Sequence, residues 1–446
     1  MIETVKEKSI VKTFLSYSIP TIIGLFLTSF IIIVDGFFIG WKMGENGLAA
    51  VNFTLPVLYI LLAITTMIGV GGVTLATQSR GAKQYDRANS YFSFSLAAIL
   101  VITTIEVLIL AVFLSDIVIL LGVEGAVYQY VKDFLGVLLY FYLFSMINIA
   151  FSMFIRAEGK PQLSLVFGLA GNIINIILDY VFIMRLEWGM NGAAFASGIA
   201  ALLPFLFGMG YFLSNKSVYR FCLFSVNLSD FKNILINGAA EFISQISISI
   251  TTAIFNVVLL ERLGINGVAA FTIIGYVFFI HSMLITGIAV GIHPVISYNF
   301  GAKNTEMIFE LMAIAIKAVT LAGLLIFVFS FAIPENIIRL FSRGNAELLQ
   351  IGEFGLRCIS ITFLLNGYNF IATVFFTSIG ETKIAALVSC LRSLILVVIF
   401  LMVLPNVFGD TGIWLTTPLT EVVTFVVAYL LVNRSKEKLS DIQNIG

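Results

Sequence analysis

Met43-Gly44-Glu45-Asn46-Gly47-Leu48-Ala49-Ala50 returns further along the chain as Leu263-Gly264-Ile265-Asn266-Gly267-Val268-Ala269-Ala270. The offset, 263 less 43, is 220 residues. It holds without a gap for Gly71 and Gly291, and for Gly81-Ala82-Lys83 and Gly301-Ala302-Lys303. It also relates Gly189 to Gly409, Gly192 to Gly412 and Ser197 to Thr417. One offset kept across so many loops marks an internal duplication.

Composition decides the solvent in which the duplication folds. Apolar residues make up 59% of the 446 and charged residues 11%. A soluble domain carries about 25% charged residues. Mean hydropathy is +1.04. The chain reads as an integral membrane protein. Its net charge is zero, which gives no footprint for nucleic acid. Lys6, Lys8 and Lys12 precede an apolar run holding Pro20 and Asp35, with no small-residue cleavage site. That run is expected to be a first membrane helix and not a cleaved signal.

About 20 apolar residues suffice to span a bilayer. Such runs fall near 14–41, 48–79, 88–115, 127–155, 161–184, 192–213, 231–261, 267–299, 308–333, 347–379, 384–405 and 413–433. The expectation is twelve membrane helices in two six-helix bundles. An offset that spans six helices leaves both halves in the same orientation, so the repeats are parallel. The expected division is an N-lobe at 1–213, a linker at 214–230 and a C-lobe at 231–446. Loops on the side bearing both termini collect Arg80, Lys83, Arg87, Arg156, Lys160, Lys216, Arg220, Lys232, Lys303 and Lys383. The opposite side holds Lys42, Arg185, Arg262, Arg339 and Arg343. The positive-inside bias puts both termini in the cytoplasm.

Repeated bundles imply a cleft, with a substrate site near the midplane and one half rocking against the other. No Walker A motif or nucleophile–base set is present, which argues against ATP as the energy source and against an enzyme. An ion gradient is the expected source of energy. Cys222, Cys358 and Cys390 are scattered and odd in number, with no disulfide framework and no metal spacing. His281 and His293 are too far apart for a HExxH-type pair and read as packing or cavity-lining residues.

The polar residues within the spans carry the function. Asn172, Asn175 and Asp179 lie at i, i+3 and i+7, on one helix face. A carboxylate at bilayer depth costs about 2.5 kcal/mol or more, so Asp179 is a functional candidate unless it is a helix-end acid near Arg185. Asp35 shares a face with Gly24, Thr28 and Ile31, which suits close helix approach. The repeat sets Phe255 opposite Asp35 and Ile399 opposite Asp179. Packing would treat both halves alike, whereas an ion site needs to exist only once. If Asp35 meets the Asn172–Asn175–Asp179 face, two acids and two amides share a pocket, and Ser197 adds a hydroxyl. Oxygen ligands suit Na⁺, and crowded acids can share a proton. The residues alone do not choose between them.

In the second half Glu241, Gln245, Ser249, Thr252 and Asn256 line one face of the seventh helix, and Asn366, Asn369, Thr373 and Thr377 one face of the tenth. Glu241, Gln245, Asn366, Asn369 and Arg392 are the candidate substrate-cavity residues. Arg392 either meets Glu241 or snorkels to the cytoplasmic surface. Of two further acids, Glu106 and Glu421, one reads as a packing residue and the other as a cavity acid. The 42 Phe and 12 Met residues suit loosely specified apolar ligands. Adaptable apolar walls with a few acids favour lipophilic cations.

Val34-Asp35-Gly36-Phe37-Phe38-Ile39-Gly40, Gly47-Leu48-Ala49-Ala50, the Asn172–Asn175–Asp179 face and Gly192-Ala193-Ala194-Phe195-Ala196-Ser197 together resemble the multidrug and toxic-compound extrusion (MATE) family. The resemblance covers the whole chain. It implies a V-shaped pair of six-helix bundles and cation-coupled export of drugs. It also implies an N-lobe cation site at Asp35, Asn175, Asp179 and Ser197, with Na⁺ at Asp35, Asn175 and Asp179 as one occupant. The sixth-helix Thr of the family is Ser197 here, which keeps the oxygen. Where several members carry a seventh-helix acid this chain has Ile248, and where some carry a tenth-helix acid it has Asn366 and Asn369. Coupling is therefore expected in the first half. The full expectation is a monomeric inner-membrane antiporter, without a cofactor or protein partner, that exchanges H⁺ or Na⁺ for amphipathic cations. Flipping of lipid-linked saccharides is the alternative.

Overall fold

The structure is a computed structural model that describes residues 10–123, 125–214, 216–223, 228–342 and 345–445. Lys6 and Lys8, which precede the first apolar run, and Arg343, counted among the loop charges, lie outside them. Among the described residues every regular element is helical. The first half holds α1 (Ile10–Gly44), α2 (Asn46–Gly81), α3 (Tyr85–Leu120), α4 (Val127–Ala157), α5 (Pro161–Arg185) and α6 (Gly189–Leu213). The second half holds α7 (228–263), α8 (265–301), α9 (Thr305–Ala332), the short α10 (Pro334–Ser342), α11 (Ala346–Ser360), α12 (Thr362–Ser378), α13 (Thr382–Phe408) and α14 (Asp410–Ile445).

By length and composition ten of these elements can cross a membrane, or eleven when α11 and α12, bent by 45°, count as one span. In that count α7 and α8 form a single helix of 73 residues. At 1.5 Å per residue such a rod is about 110 Å long, against a hydrocarbon core of about 30 Å. It therefore amounts to two crossings, and twelve result. The tenth span, expected as one run near 347–379, is the bent pair.

The duplication is written into the backbone. Gly44 breaks α1 from α2 at φ 64°, ψ −154°, and Gly264 breaks α7 from α8 at φ 63°, ψ −161°. A side chain would be strained at either position, which is why glycine stands at both. Lys83 and Lys303, in matching loops, have φ of 62° and 58°. The same turn bonds close those loops, Gln84 N–H to Ser79 C=O and Asn304 N–H to Asn299 C=O.

The chain forms two compact units. Among the described residues the first comprises those within 19–238 and the second those within 239–445 together with 10–18. In the first, a Cβ on Gly71 would stand 1.9 Å from the Ile234 carbonyl oxygen, so the start of α7 lies directly on α2. In the second, a Cβ on Gly291 would stand 3.0 Å from the backbone of Tyr17 and Ser18, so the start of α1 lies on α8. The core of the first unit packs Phe92, Phe151, Phe154 and Tyr219. That of the second packs Trp414, Phe255 and Leu356.

Part of the linker is fastened to the first unit. Asn89 Oδ1 accepts from Arg220 N–H at 3.0 Å, and Ser93 Oγ accepts from Cys222 N–H at 3.0 Å. The Glu158 side chain is buried and accepts from Ser217 Oγ at 2.9 Å and from Val218 N–H at 3.0 Å.

Candidate functional site

In the first unit α1 and α5 run side by side. A Cβ on Gly24 would meet Leu165 Cδ1 at 3.6 Å, which marks close approach at one end. Further along both helices the carboxyl groups of Asp35 and Asp179 face each other within hydrogen-bonding reach. Two carboxyl oxygens make such a contact only with a proton or cation between them. Among the described residues no other donor reaches Asp35 Oδ1 or either carboxyl oxygen of Asp179. Asp179 is 1% exposed and Asp35 half-buried. Asp179 is therefore no interfacial helix-end acid.

The rest of the face follows from helix geometry. Asn175, one turn before Asp179, is 5% exposed, and its Nδ2 has no partner among the described residues. Asn172 is half-buried. A Cβ on Gly171 would meet the Ala200 carbonyl oxygen at 2.8 Å, so α6 lies close against α5. The two helices are antiparallel, and their register sets the half-buried Ser197 at the depth of Asn175. Directly after Asp179 the helix widens into a π-turn, Tyr180–Arg185. π-Bulges occur often at functional sites. Trp188 stacks on Phe182 with ring centroids 4.8 Å apart and closes the end of this segment. Lys42 Nζ reaches Glu187 at 2.6 Å and ties the end of α1 to the α5–α6 loop. The Lys42 ammonium holds the Glu187 carboxyl below its ordinary range.

The second unit gathers a different cluster. Asn366 Nδ2 donates to Glu421 Oε1 at 2.6 Å, and Asn369 Nδ2 donates to Glu421 Oε2 at 2.6 Å. Gln245 Nε2 donates to Glu241 Oε1 at 2.9 Å. Arg392 acts electrostatically on both Glu241 and Glu421. Its guanidinium lies 4.9 Å from the centroid of the Phe370 ring. Arg392 therefore lies within electrostatic reach of both acids, inside the unit, and does not snorkel. It too sits in a π-turn, Leu391–Ile395, and the repeat sets it opposite Asn172. All five residues expected to line a substrate cavity belong to this network.

Glu421 stood outside the five candidate cavity residues, yet it is the hub. One signal was available: the offset of 220 sets Ala201 opposite it, the same asymmetry that singled out Asp35 and Asp179. The neighbouring stripe residues do other things. Thr373 and Thr377 bond back to carbonyls of their own helix, and Ser249 and Thr252 are exposed. His281 is fully buried between Phe278 and Phe363, a packing residue.

A pair of facing intramembrane acids in one repeat and an acid–arginine–amide network in the other define a helical membrane transporter. The MatE family profile matches residues 20–181 and 241–403, most of the chain, and the chain belongs to that family. It is 26% identical over 439 residues to a multidrug export protein, MepA, of Staphylococcus saprophyticus, covering 98% of this chain and 96% of that protein. It is 27% identical over 441 residues to MepA of Staphylococcus aureus, covering 97% and 96%. Among solved structures, a MOP superfamily transporter from Pyrococcus furiosus superposes with a TM-score of 0.90 at 23% identity over 97% of both chains. The Vibrio cholerae MATE transporter VcmN superposes at 0.89 and 19% identity, over 96% of this chain and 97% of that one.

Proposed function

We propose that the protein is a cation-coupled antiporter that exports amphipathic, cationic drugs across the bacterial cell membrane, with both termini in the cytoplasm. The observation that carries this is the Asp35–Asp179 contact, two facing carboxyl groups with no basic side chain between them. Such a pair takes up H⁺ or Na⁺, and the amide of Asn175 and the hydroxyl of Ser197 supply further oxygens for Na⁺. Occupancy bends or repacks α1 and α5 at the π-turn and lowers drug affinity, and the ion then leaves inward. The ion must favour one conformation over the other, or it shifts nothing. The multidrug export relatives support drugs as cargo.

The network around Glu241 and Glu421 supplies the substrate contact, its two acids against one arginine leaving a net negative charge for a cation. Lipid-linked saccharide flipping is less well supported. It requires bases for a pyrophosphate, and the charge of Arg392 is already met by two carboxyl groups.

The test is transport of a fluorescent cation in proteoliposomes, under an imposed pH gradient and, separately, an imposed Na⁺ gradient. One gradient should drive export, and Asp35→Asn should abolish it. Export driven equally well with neither gradient imposed would end the proposal.

A further inference from the structure

A third acid is buried in the membrane-spanning part of the first unit, away from α1 and α5. Glu106 lies near the middle of α3 and is 8% exposed. Neither of its carboxyl oxygens has a hydrogen-bond partner among the described residues. One turn earlier on the same face, Thr103 is 1% exposed and its Oγ1 is unpartnered. Across the α3–α4 interface, Tyr142 is 6% exposed, its hydroxyl is unpartnered, and it lies within electrostatic reach of Glu106. Tyr142 is the titratable side chain that feels Glu106. Helical spacing puts Ile99 and Leu110 on the Glu106 face of α3 and Leu139 and Met146 on the Tyr142 face of α4, and all four belong to one buried apolar core.

Buried polar oxygens are normally paired, and a group of them left open calls for an explanation. Packing alone does not give one, because apolar side chains of similar size would fill this space without stranding a carboxyl group. The duplication sharpens the point. The offset of 220 sets Ile326 opposite Glu106. The acid is thus a property of one half only, as Asp35 and Asp179 are.

We propose that Glu106, with Tyr142 and Thr103, forms a second binding site for a single positive charge in the first unit, taken up as H⁺ or Na⁺. The site offers one carboxyl group and two neutral hydroxyls, all hard oxygen donors. One negative charge is balanced by a monovalent cation. A divalent ion would leave net charge in an apolar core. A proton would make the carboxyl a donor to the Tyr142 hydroxyl, and Na⁺ would draw on all three side chains. The site does not depend on the Asp35–Asp179 pair between α1 and α5, and it gives the first unit a second point of ion binding, at the α3–α4 interface.

The test uses full-length protein in liposomes and infrared difference spectra of its carboxyl groups. In one arm Na⁺ is exchanged for choline at fixed pH. In the other the pH is stepped in choline. The wild type, E106Q and the Asp35→Asn/Asp179→Asn double variant are compared. The expected result is a carboxyl band that is missing from E106Q and retained in the double variant. Its appearance in the first arm identifies Na⁺, and in the second H⁺. Tyr142→Phe, which keeps the ring, should shift the midpoint of that response at least threefold. The proposal is overturned if E106Q matches the wild type in both arms, or if the double variant loses the band as completely as E106Q does. Should E106Q fail to reconstitute, an unchanged midpoint in Tyr142→Phe overturns it.

Discussion

Each unit holds a pair of intramembrane acids, and the two pairs are built in opposite ways. In the first, Asp35 faces Asp179 with no basic side chain between them and an unpartnered amide at Asn175. In the second, Glu421 accepts from two asparagines, Glu241 from a glutamine, and Arg392 acts on both acids. The first arrangement is incomplete without an added positive charge. The second supplies most of its own, one arginine against two acids. Burial of an acid in a bilayer is costly in either setting, but of the two pairs the incomplete one turns more of that cost into affinity for a small coupling ion. The duplicated scaffold thus carries an open charge site in one half and a largely neutralised one in the other.

The largest effect that separates them is on transport. Asp179→Asn should lower gradient-driven export about 100-fold or more, a loss of roughly 3 kcal/mol of driving interaction. Its melting temperature should stay at or above the wild-type value, because the amide can still donate to the facing Asp35 carboxyl group while one buried carboxyl group is removed. Wild-type export by folded Asp179→Asn in proteoliposomes would erase the distinction drawn above.

Next is the arginine. Removing one partner of a buried charge network strands the others, at a cost of about 3–5 kcal/mol. Arg392→Ala should therefore melt well below the wild type, with lost packing on Phe370 adding to the drop. Pairing it with Glu241→Gln should restore part of the stability. Equal melting temperatures for Arg392→Ala and Asp179→Asn would mean that the two clusters do not differ as described.

A sharper comparison sets one asparagine against another. Asn369 Nδ2 donates to the Glu421 carboxyl group at 2.6 Å, whereas Asn175 Nδ2 has no partner among the described residues. Asn369→Leu leaves an acceptor unpaired and should cost about 1–3 kcal/mol. Asn175→Leu removes an amide whose Nδ2 makes no such bond, and should cost less than Asn369→Leu while weakening ion coupling. Detergent-solubilised melting curves of the two variants decide the matter, and a cost at Asn175 as large as at Asn369 would count against the open site.

Much of this was legible because it rests on glycine and periodicity. Gly44 and Gly264 announced two equivalent helix breaks, and both take the left-handed backbone that only glycine adopts without strain. Asn172, Asn175 and Asp179 announced one face, because helical spacing admits no other arrangement. The π-turns after Asp179 and around Arg392 were not legible. A π-turn depends on how neighbouring helices load the backbone, and Tyr180–Arg185 and Leu391–Ile395 share no sequence signal. Glu421 was underrated for a similar reason. Its partners Asn366 and Asn369 lie 55 and 52 residues away, and only the packing of α12 on α14 brings them together.

The smallest effect lies outside both acid pairs, at the linker. The Glu158 carboxyl group is held above its ordinary value of 4.5, because burial outweighs the Val218 N–H, the Ser217 hydroxyl and the charges of Lys160 and Arg80. Arg80 also donates to the Val218 carbonyl at 3.1 Å, so the acid and the base clamp the same segment. The folded state therefore binds this proton more tightly than the unfolded chain does. The stability that follows is complete below about pH 4.5 and is lost as pH rises through the higher folded value. Glu158→Gln keeps an oxygen for Ser217 and Val218 and removes the titration. Its melting temperature should rise relative to the wild type by a few degrees as pH increases toward neutral, on the scale of about 1 kcal/mol. Melting curves that stay parallel across that range would show that the linker is fastened by the Ser217 and Val218 contacts without any contribution from this carboxyl group's proton.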